Sequence, residues 1–200
     1  RVKGFQGETI ADLAKVNTIA ACAKHFAAYG YVEAGLEYNI VDISSSKLYN
    51  SVLPPFEATV EAGVRTFMNS FNTLNGVPAT GNAFLQRDIL KGKWKFDGFV
   101  ISDYASIREM IAHGYAKDEA DATAKAVIAG SDMDMESYLY VAKLVDLVKS
   151  GKVKESLVDD AVRRILRVKF ELGLFDDPYR YCDEKREKEV VGSKANKDGV

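Results

Sequence analysis

The sequence predicts an α/β protein, namely the second half of a (β/α)8 TIM-type barrel, incomplete without upstream sequence. Three observations lead there. Short apolar, β-prone runs recur, and each is followed by a helical pattern. The runs end near residues 25, 70, 103 and 134, a repeat of roughly 31–45 residues, close to the ~30 per unit of an eight-stranded βα barrel. Four such units cannot close, because the edges of the sheet would leave backbone N–H and C=O groups unpaired. The other half is therefore expected upstream.

The strand runs are 18–26 (TIAACAKHF), 65–71 (RTFMNSF), 98–103 (GFVISD) and 131–135 (SDMDM). After the first, Pro54 and Pro55 open PPFEATVEAG, where a proline in the first turn sacrifices no hydrogen bond and Gly63 can end the helix. After the second, Asn82 suits the N-cap of AFLQRDILK, with Gly92 behind it, and Asn75-Gly76 is a turn signal. EADATAKAVIA runs to Gly130 and YVAKLVDLVKS to Gly151. In the last helix Ser156 and Asp159 have capping-box spacing, while Leu157, Ala161, Ile165, Leu166 and Leu172 recur along one face. Gly173 stops it, and Leu174 and Phe175 can pack back. From Pro178 onward the chain turns charged and poor in apolar residues, which divides it into a barrel portion, 1–178, and a linker, 179–200, toward a further domain.

Composition narrows the function classes. With 47% hydrophobic and 28% charged residues the chain can build a globular core. Lys+Arg total 27 against 29 Asp+Glu, a formal charge of −2, and no segment gathers the positive charge that tracks phosphates, so no nucleic acid partner is expected. The longest apolar run, near 98–102, falls far short of the ~18–20 residues of a membrane span. The opening RVKGFQGETIADL has no apolar signal core, which leaves export open. Cys22, in an apolar run, reads as a buried thiol and Cys182 as a surface one; the pair forms no disulfide framework or metal motif.

Barrel enzymes place their chemistry at the C-terminal ends of strands. Those positions hold Lys24-His25, Asn69-Ser70 with Asn72, Ser102-Asp103, and Asp132 with Asp134. Asp103 follows a run apolar enough to be buried on both faces; it is either a carboxylate delivered to the barrel mouth or the N-cap of the helix ASIREMIA. Lys24 suits a Schiff-base nucleophile, a hydroxyl donor or an ion-pair partner inside the barrel. His25 on its own reads as a packed, hydrogen-bonded histidine, and His113, where a helix gives way to a loop, as structural. Asp132, Asp134 and Glu136 alternate along a strand and so share a face, which suits inner-barrel polar packing better than a metal; no metal and no cofactor is expected.

KHFAAYG at 24–30, EYN at 37–39, PPF at 54–56, AGVRTFMNSFNTLNGVPAT at 62–80, WKFDGFVISDY at 94–104, AGSDMDM at 129–135 and the closing RRILRVKFELGLFDDP together resemble glycoside hydrolase family 3, in particular its bacterial periplasmic β-glucosidase type. The resemblance covers nearly all of residues 1–178. It implies a barrel followed by an α/β sandwich domain, a periplasmic or secreted location, and retaining, exo-acting hydrolysis of β-linked glucosides or xylosides, so that the partner is a β-linked glycoside or oligosaccharide. Asp103 matches the nucleophile, and Lys24 and His25 the pair that holds sugar hydroxyls. Met68 and Phe71 match the lining of the same subsite, and Tyr104 stands where the family usually has tryptophan. Phe71 lacks the tyrosine hydroxyl common at its position, and KHFAAYG departs from the KHFPGHG of the N-acetylglucosaminidase branch. The acid/base is expected to be a glutamate of the sandwich domain, so this chain alone should be inactive. A Schiff-base aldolase using Lys24 and a sugar-binding protein that has lost catalysis are the competing readings.

Overall fold

The structure, a computed structural model, describes residues 1–199. Three strands form a parallel sheet in the order β1 (Cys22–Phe26), β3 (Thr66–Asn69), β6 (Phe99–Ile101), and Met133 extends it by a parallel bridge to Ile101. The four β-prone runs of the sequence thus lie side by side in chain order, each joined to the next by a helical segment. That is the arrangement of half a βα barrel.

Register explains how the sheet divides its two faces. Ala23, Phe67 and Val100 are paired across the strands and buried. They face the helices, where Phe67 meets Phe26 and Phe96 edge-on at centroid distances of 5.4 and 4.9 Å. The alternate residues Cys22, Lys24, Met68, Phe99 and Ile101 occupy the opposite, inner face and are half-buried or exposed. Cys22 is therefore an exposed thiol, not the buried one expected from its apolar neighbours: its strand is the edge of the sheet and its face has no covering layer among the described residues.

The helical segments are α1 (Val2–Gln6), α2 (Ser45–Lys47), α3 (Leu53–Glu61), α4 (Ser106–Ala112), α5 (Glu119–Ala129), α6 (Leu139–Lys149), α7 (Glu155–Glu171), α8 (Glu184–Val190) and α9 (Lys194–Asp198). The helix of Pro54 and Pro55 begins earlier than the prolines indicate. Ser44 caps α2, and a π-helical turn, Leu48–Val52, carries it into α3, so that the donor-less prolines sit where the hydrogen-bond ladder changes pitch. The Asn82 side chain accepts from the amide of Leu85, as a cap should, but the π-helix Phe84–Lys93 runs through Gly92. A Cβ there would lie 2.7 Å from the Arg87 carbonyl, which is why glycine occupies the last turn and not the position beyond it. Ser156 does not cap α7, which begins a residue earlier at Glu155. Gly130 (φ 111°) and Gly151 (φ 72°) follow α5 and α6, and Gly173 (φ 68°) follows α7, all in the left-handed region that spares glycine a Cβ clash.

A small second sheet was not foreseen. β2 (Ile40–Val41) pairs in parallel with β4 (Thr73–Leu74), which turns back onto β5 (Val77–Pro78). The hinge is Asn75-Gly76, with both residues at positive φ (49° and 83°), the backbone a two-residue hairpin demands. Beyond Pro178, α8 and α9 are exposed, and the Tyr181 hydroxyl ties the start of this segment to the carbonyls of Leu13 and Leu172.

Candidate active site

Asp103 stands one residue past Ser102, at the C-terminal end of β6. Ser102 is clamped to the neighbouring strand: its amide donates to Met133 (2.9 Å) and its hydroxyl accepts from Met135 (2.8 Å). The chain then turns sharply through Ala105 at φ 55° before α4 begins. Oδ1 of Asp103 accepts from the amide of Tyr104 at 2.7 Å. No hydrogen bond runs from its side chain to α4, so Asp103 does not act as the helix cap that spacing allowed. Oδ2 is buried with no hydrogen-bond partner and lies 3.6 Å from Nε2 of His25. With 8% of the residue exposed, an acceptor left unpaired is costly unless something arrives to satisfy it.

His25 comes from the end of β1. Burial lowers its pKa and the Lys24 ammonium adds to that, against an opposing pull from Asp103 and Glu37. The ring is thus mainly neutral near pH 7, and a neutral imidazole can donate from one nitrogen and accept at the other. Lys24, on the same strand, is exposed toward the open edge. Two grooves border it there, one of about 560 Å³ along Arg1, Val2, Phe5 and Ile19 and one of about 340 Å³ along His25, Tyr29 and Phe56; Asp103 lines neither. Met68 lies beside Ile101 on the inner face, half-buried. The Phe71 ring packs at a tilt against that of Tyr38, 4.4 Å between centroids, and lies 6.1 Å from Tyr29, while its carbonyl accepts from Nε2 of His113 at 3.1 Å. His113 thereby has the structural role its position indicated. Tyr104 is 60% exposed beside the carboxylate.

Residues of the loop after β1 and of α4 complete the cluster. The ring of Tyr29, within KHFAAYG, meets His25 edge-on at 5.4 Å, and its hydroxyl is buried without a hydrogen-bond partner. Burial raises the pKa of this phenol, the charges of Glu37, Tyr38 and Asp103 add to the effect, and the backbone amide of Tyr38 opposes it. Glu109 points back from α4; burial first, and then the charge of Asp103, push its carboxyl upward, and its Oε2 also lacks a partner. The sequence held a signal for each: Tyr29 lies within KHFAAYG, and Glu109 is on the first turn of the helix that follows Asp103.

Other strand-end groups serve the scaffold. Asn69 bonds Ser131, and Ser70 and Asn72 donate to the Ala27 carbonyl, bracing the loop behind β1. The acidic run does not face the barrel interior. Asp132 pairs with Lys91 (2.6 and 2.8 Å) and accepts from the Val100 amide, on the helix side of the sheet. Asp134 accepts from the Ser137 hydroxyl and the Tyr140 amide ahead of α6. Met133, whose bridge extends the sheet, takes the inner position instead, because the pleat shows alternate residues to opposite faces.

The profile of the glycosyl hydrolase family 3 N-terminal domain matches residues 1–168. A periplasmic β-glucosidase of Salmonella typhimurium is 46% identical over 184 residues, covering 92% of this chain and 24% of the relative. A putative β-xylosidase of Formosa agariphila is 38% identical over 92% of this chain and 24% of its own. Among solved structures, a β-glucosidase of Listeria innocua in complex with glucose superposes with a TM-score of 0.93 at 43% identity, covering 98% of this chain and 27% of that one. A mutant of the Listeria innocua enzyme in complex with laminaribiose gives 0.94 at 40% identity, with the same coverage. The chain spans about a quarter of the length of these relatives.

Proposed function

Because the chain belongs to glycosyl hydrolase family 3, we propose that the protein containing it is a retaining, exo-acting β-glycosidase, a β-glucosidase or β-xylosidase, that works through a covalent glycosyl-Asp103 intermediate. The observation that carries this reading is the carboxylate of Asp103 at a barrel strand end, one oxygen fixed by the Tyr104 amide and the other buried, unpaired and facing His25. A nucleophile needs that arrangement: a fixed orientation from one oxygen and a free lone pair on the other.

In the proposed reaction Oδ2 attacks the anomeric carbon, the glycosidic bond breaks, and a proton from a second carboxyl goes to the leaving oxygen; water then reverses the sequence. Lys24 and His25 bind sugar hydroxyls, Met68 and Phe71 wall the same subsite, and Tyr104 flanks the departing group. The phenylalanine at 71 and the tyrosine at 104 make that wall less polar and its platform smaller than the usual family residues, which bears on aglycone preference. Residues 1–178 form half of the barrel and 179–200 lead toward the α/β sandwich domain that supplies the acid/base. A periplasmic or secreted location goes with this reading, since the Salmonella typhimurium relative is described as periplasmic.

The test is trapping of the full-length protein with a 2-deoxy-2-fluoro β-glycoside carrying a good leaving group, followed by peptide mass spectrometry. The label is expected on Asp103. A label on another residue, or full turnover by Asp103→Asn, overturns the assignment, and a borohydride-trapped adduct of a carbonyl substrate on Lys24 would favour the aldolase reading instead.

A further inference from the structure

Three oxygens around the carboxylate are buried without partners: Oδ2 of Asp103, the hydroxyl of Tyr29 and Oε2 of Glu109. Two of them belong to acids and are acceptors when ionised; only the phenol holds a proton throughout the working pH range. Tyr29 is also fixed in place. Its ring meets His25, the residue whose Nε2 faces Oδ2, edge-on and lies 6.1 Å from the ring of Phe71. Phe71 brings no hydroxyl to the cluster, and the Ser70 and Asn72 side chains beside it are engaged with the Ala27 carbonyl.

We infer that Tyr29 is the positioning residue for Asp103, its hydroxyl donating to Oδ2 when the site closes on substrate. This rests on the proposed role of Asp103 as nucleophile. An orphan donor and an orphan acceptor kept dry beside one histidine each carry a desolvation cost that a mutual hydrogen bond removes. A phenol donating to a carboxylate also stabilises its ionised form, the one that attacks. The charged and titratable groups that share this environment are Lys24 and His25 from β1, Glu37 and Tyr38 from the loop after it, and Glu109 from α4.

The experiment uses the full-length protein and compares wild type, Tyr29→Phe and Tyr31→Phe; Tyr31 is exposed, with Lys47 over its ring, and serves as control. The pH dependence of kcat/KM is measured on an aryl β-glycoside, alongside 2-fluoro glycoside trapping. Tyr29→Phe is expected to lower kcat/KM about 10- to 100-fold, mostly in kcat, and to move the acidic limb of the profile to higher pH, while Tyr31→Phe matches wild type. Replacing Tyr29 with 3-fluorotyrosine keeps shape and hydroxyl but strengthens the donor, so the limb should move to lower pH even if the phenylalanine variant folds poorly. An acidic limb that stays in place in both variants overturns the role of Tyr29, whatever the loss of rate. Trapping separates this from the premise: wild type labelled on Asp103 with unmoved limbs sinks only the Tyr29 inference, whereas wild type labelled elsewhere sinks the nucleophile.

Discussion

At the residue scale, one carboxylate dominates, and removing its charge should affect chemistry more than binding. Asp103→Asn in the full-length protein keeps the shape but not the nucleophile, so kcat should fall by roughly 10⁴-fold with little change in substrate Kd. Azide added to Asp103→Gly should restore turnover, with the glycosyl azide of inverted configuration as product; no azide dependence would argue against a displaced nucleophile. Glu109 gives a second, pH-based expectation. Its carboxyl is raised by burial and then by Asp103, so the folded state holds this proton more tightly than the unfolded one. The sign is therefore that its contribution is most favourable below the unfolded pKa and is lost as pH rises toward the raised one. Glu109→Gln should raise Tm at pH 7 and leave it little changed near pH 4, read by differential scanning calorimetry. Asp103, Lys24 and His25 stood out as candidates because Asp103 follows directly on an apolar strand and Lys24 and His25 lie at the end of another; their roles came from the family resemblance, since position alone left a helix cap, an ion pair and a packed histidine open. Tyr29, Glu37, Tyr38 and Glu109 were not singled out, because nothing local in a loop or on a helix turn tells which long-range neighbour it will meet.

At the element scale, the strands were legible because short β-prone apolar runs recur at the spacing of βα units, each followed by a helical pattern. What the sequence concealed was which face each polar residue takes. Asp132 alternates correctly with Met133, yet the pleat points it at the helices, where Lys91 waits on a π-helix that no hydrophobic period announces. Burial raises Asp132 and lowers Lys91 to about 8, each opposed by its partner. With side chains 1% and 5% exposed, the pair is costly to break and cheap to replace whole. Asp132→Ala is expected to destabilise by about 3–5 kcal/mol, since it strands the ammonium and frees the Val100 amide, seen as a lower urea midpoint at constant m. The double change Lys91→Met with Asp132→Leu should recover most of that loss. If the double variant is no more stable than the single, the pair contributes more than mutual neutralisation. The short hairpin of β4 and β5 escaped detection for a different reason: two residues per strand give no alternation to read, and only Asn75-Gly76 marked the place.

At the scale of the whole molecule, the distribution of exposure is that of a sheet covered on one side. Helices bury Ala23, Phe67 and Val100, while Cys22, Lys24, Met68 and Ile101 face no covering layer among the described residues. In a closed barrel the inner residues of alternate strands fill the centre in layers, so each inner side chain needs neighbours from strands on the far side. Cys22 is a natural reporter of that requirement, because its thiol sits on the edge strand and is exposed here. Partial burial already pushes its pKa up, which slows but does not prevent alkylation, since the thiolate is the reactive form. In the 200-residue chain Cys22 should therefore react with iodoacetamide at a rate within about tenfold of Cys182, which lies on the exposed tail. In the full-length protein, with the barrel closed over the inner face, Cys22 should become protected by on the order of 100-fold or more while Cys182 changes little, and turnover of an aryl β-glycoside should appear only in that longer form. Equal protection of Cys22 in both would mean that its face of β1 is not the one the remaining strands cover, and the strand would have to be placed differently in the barrel.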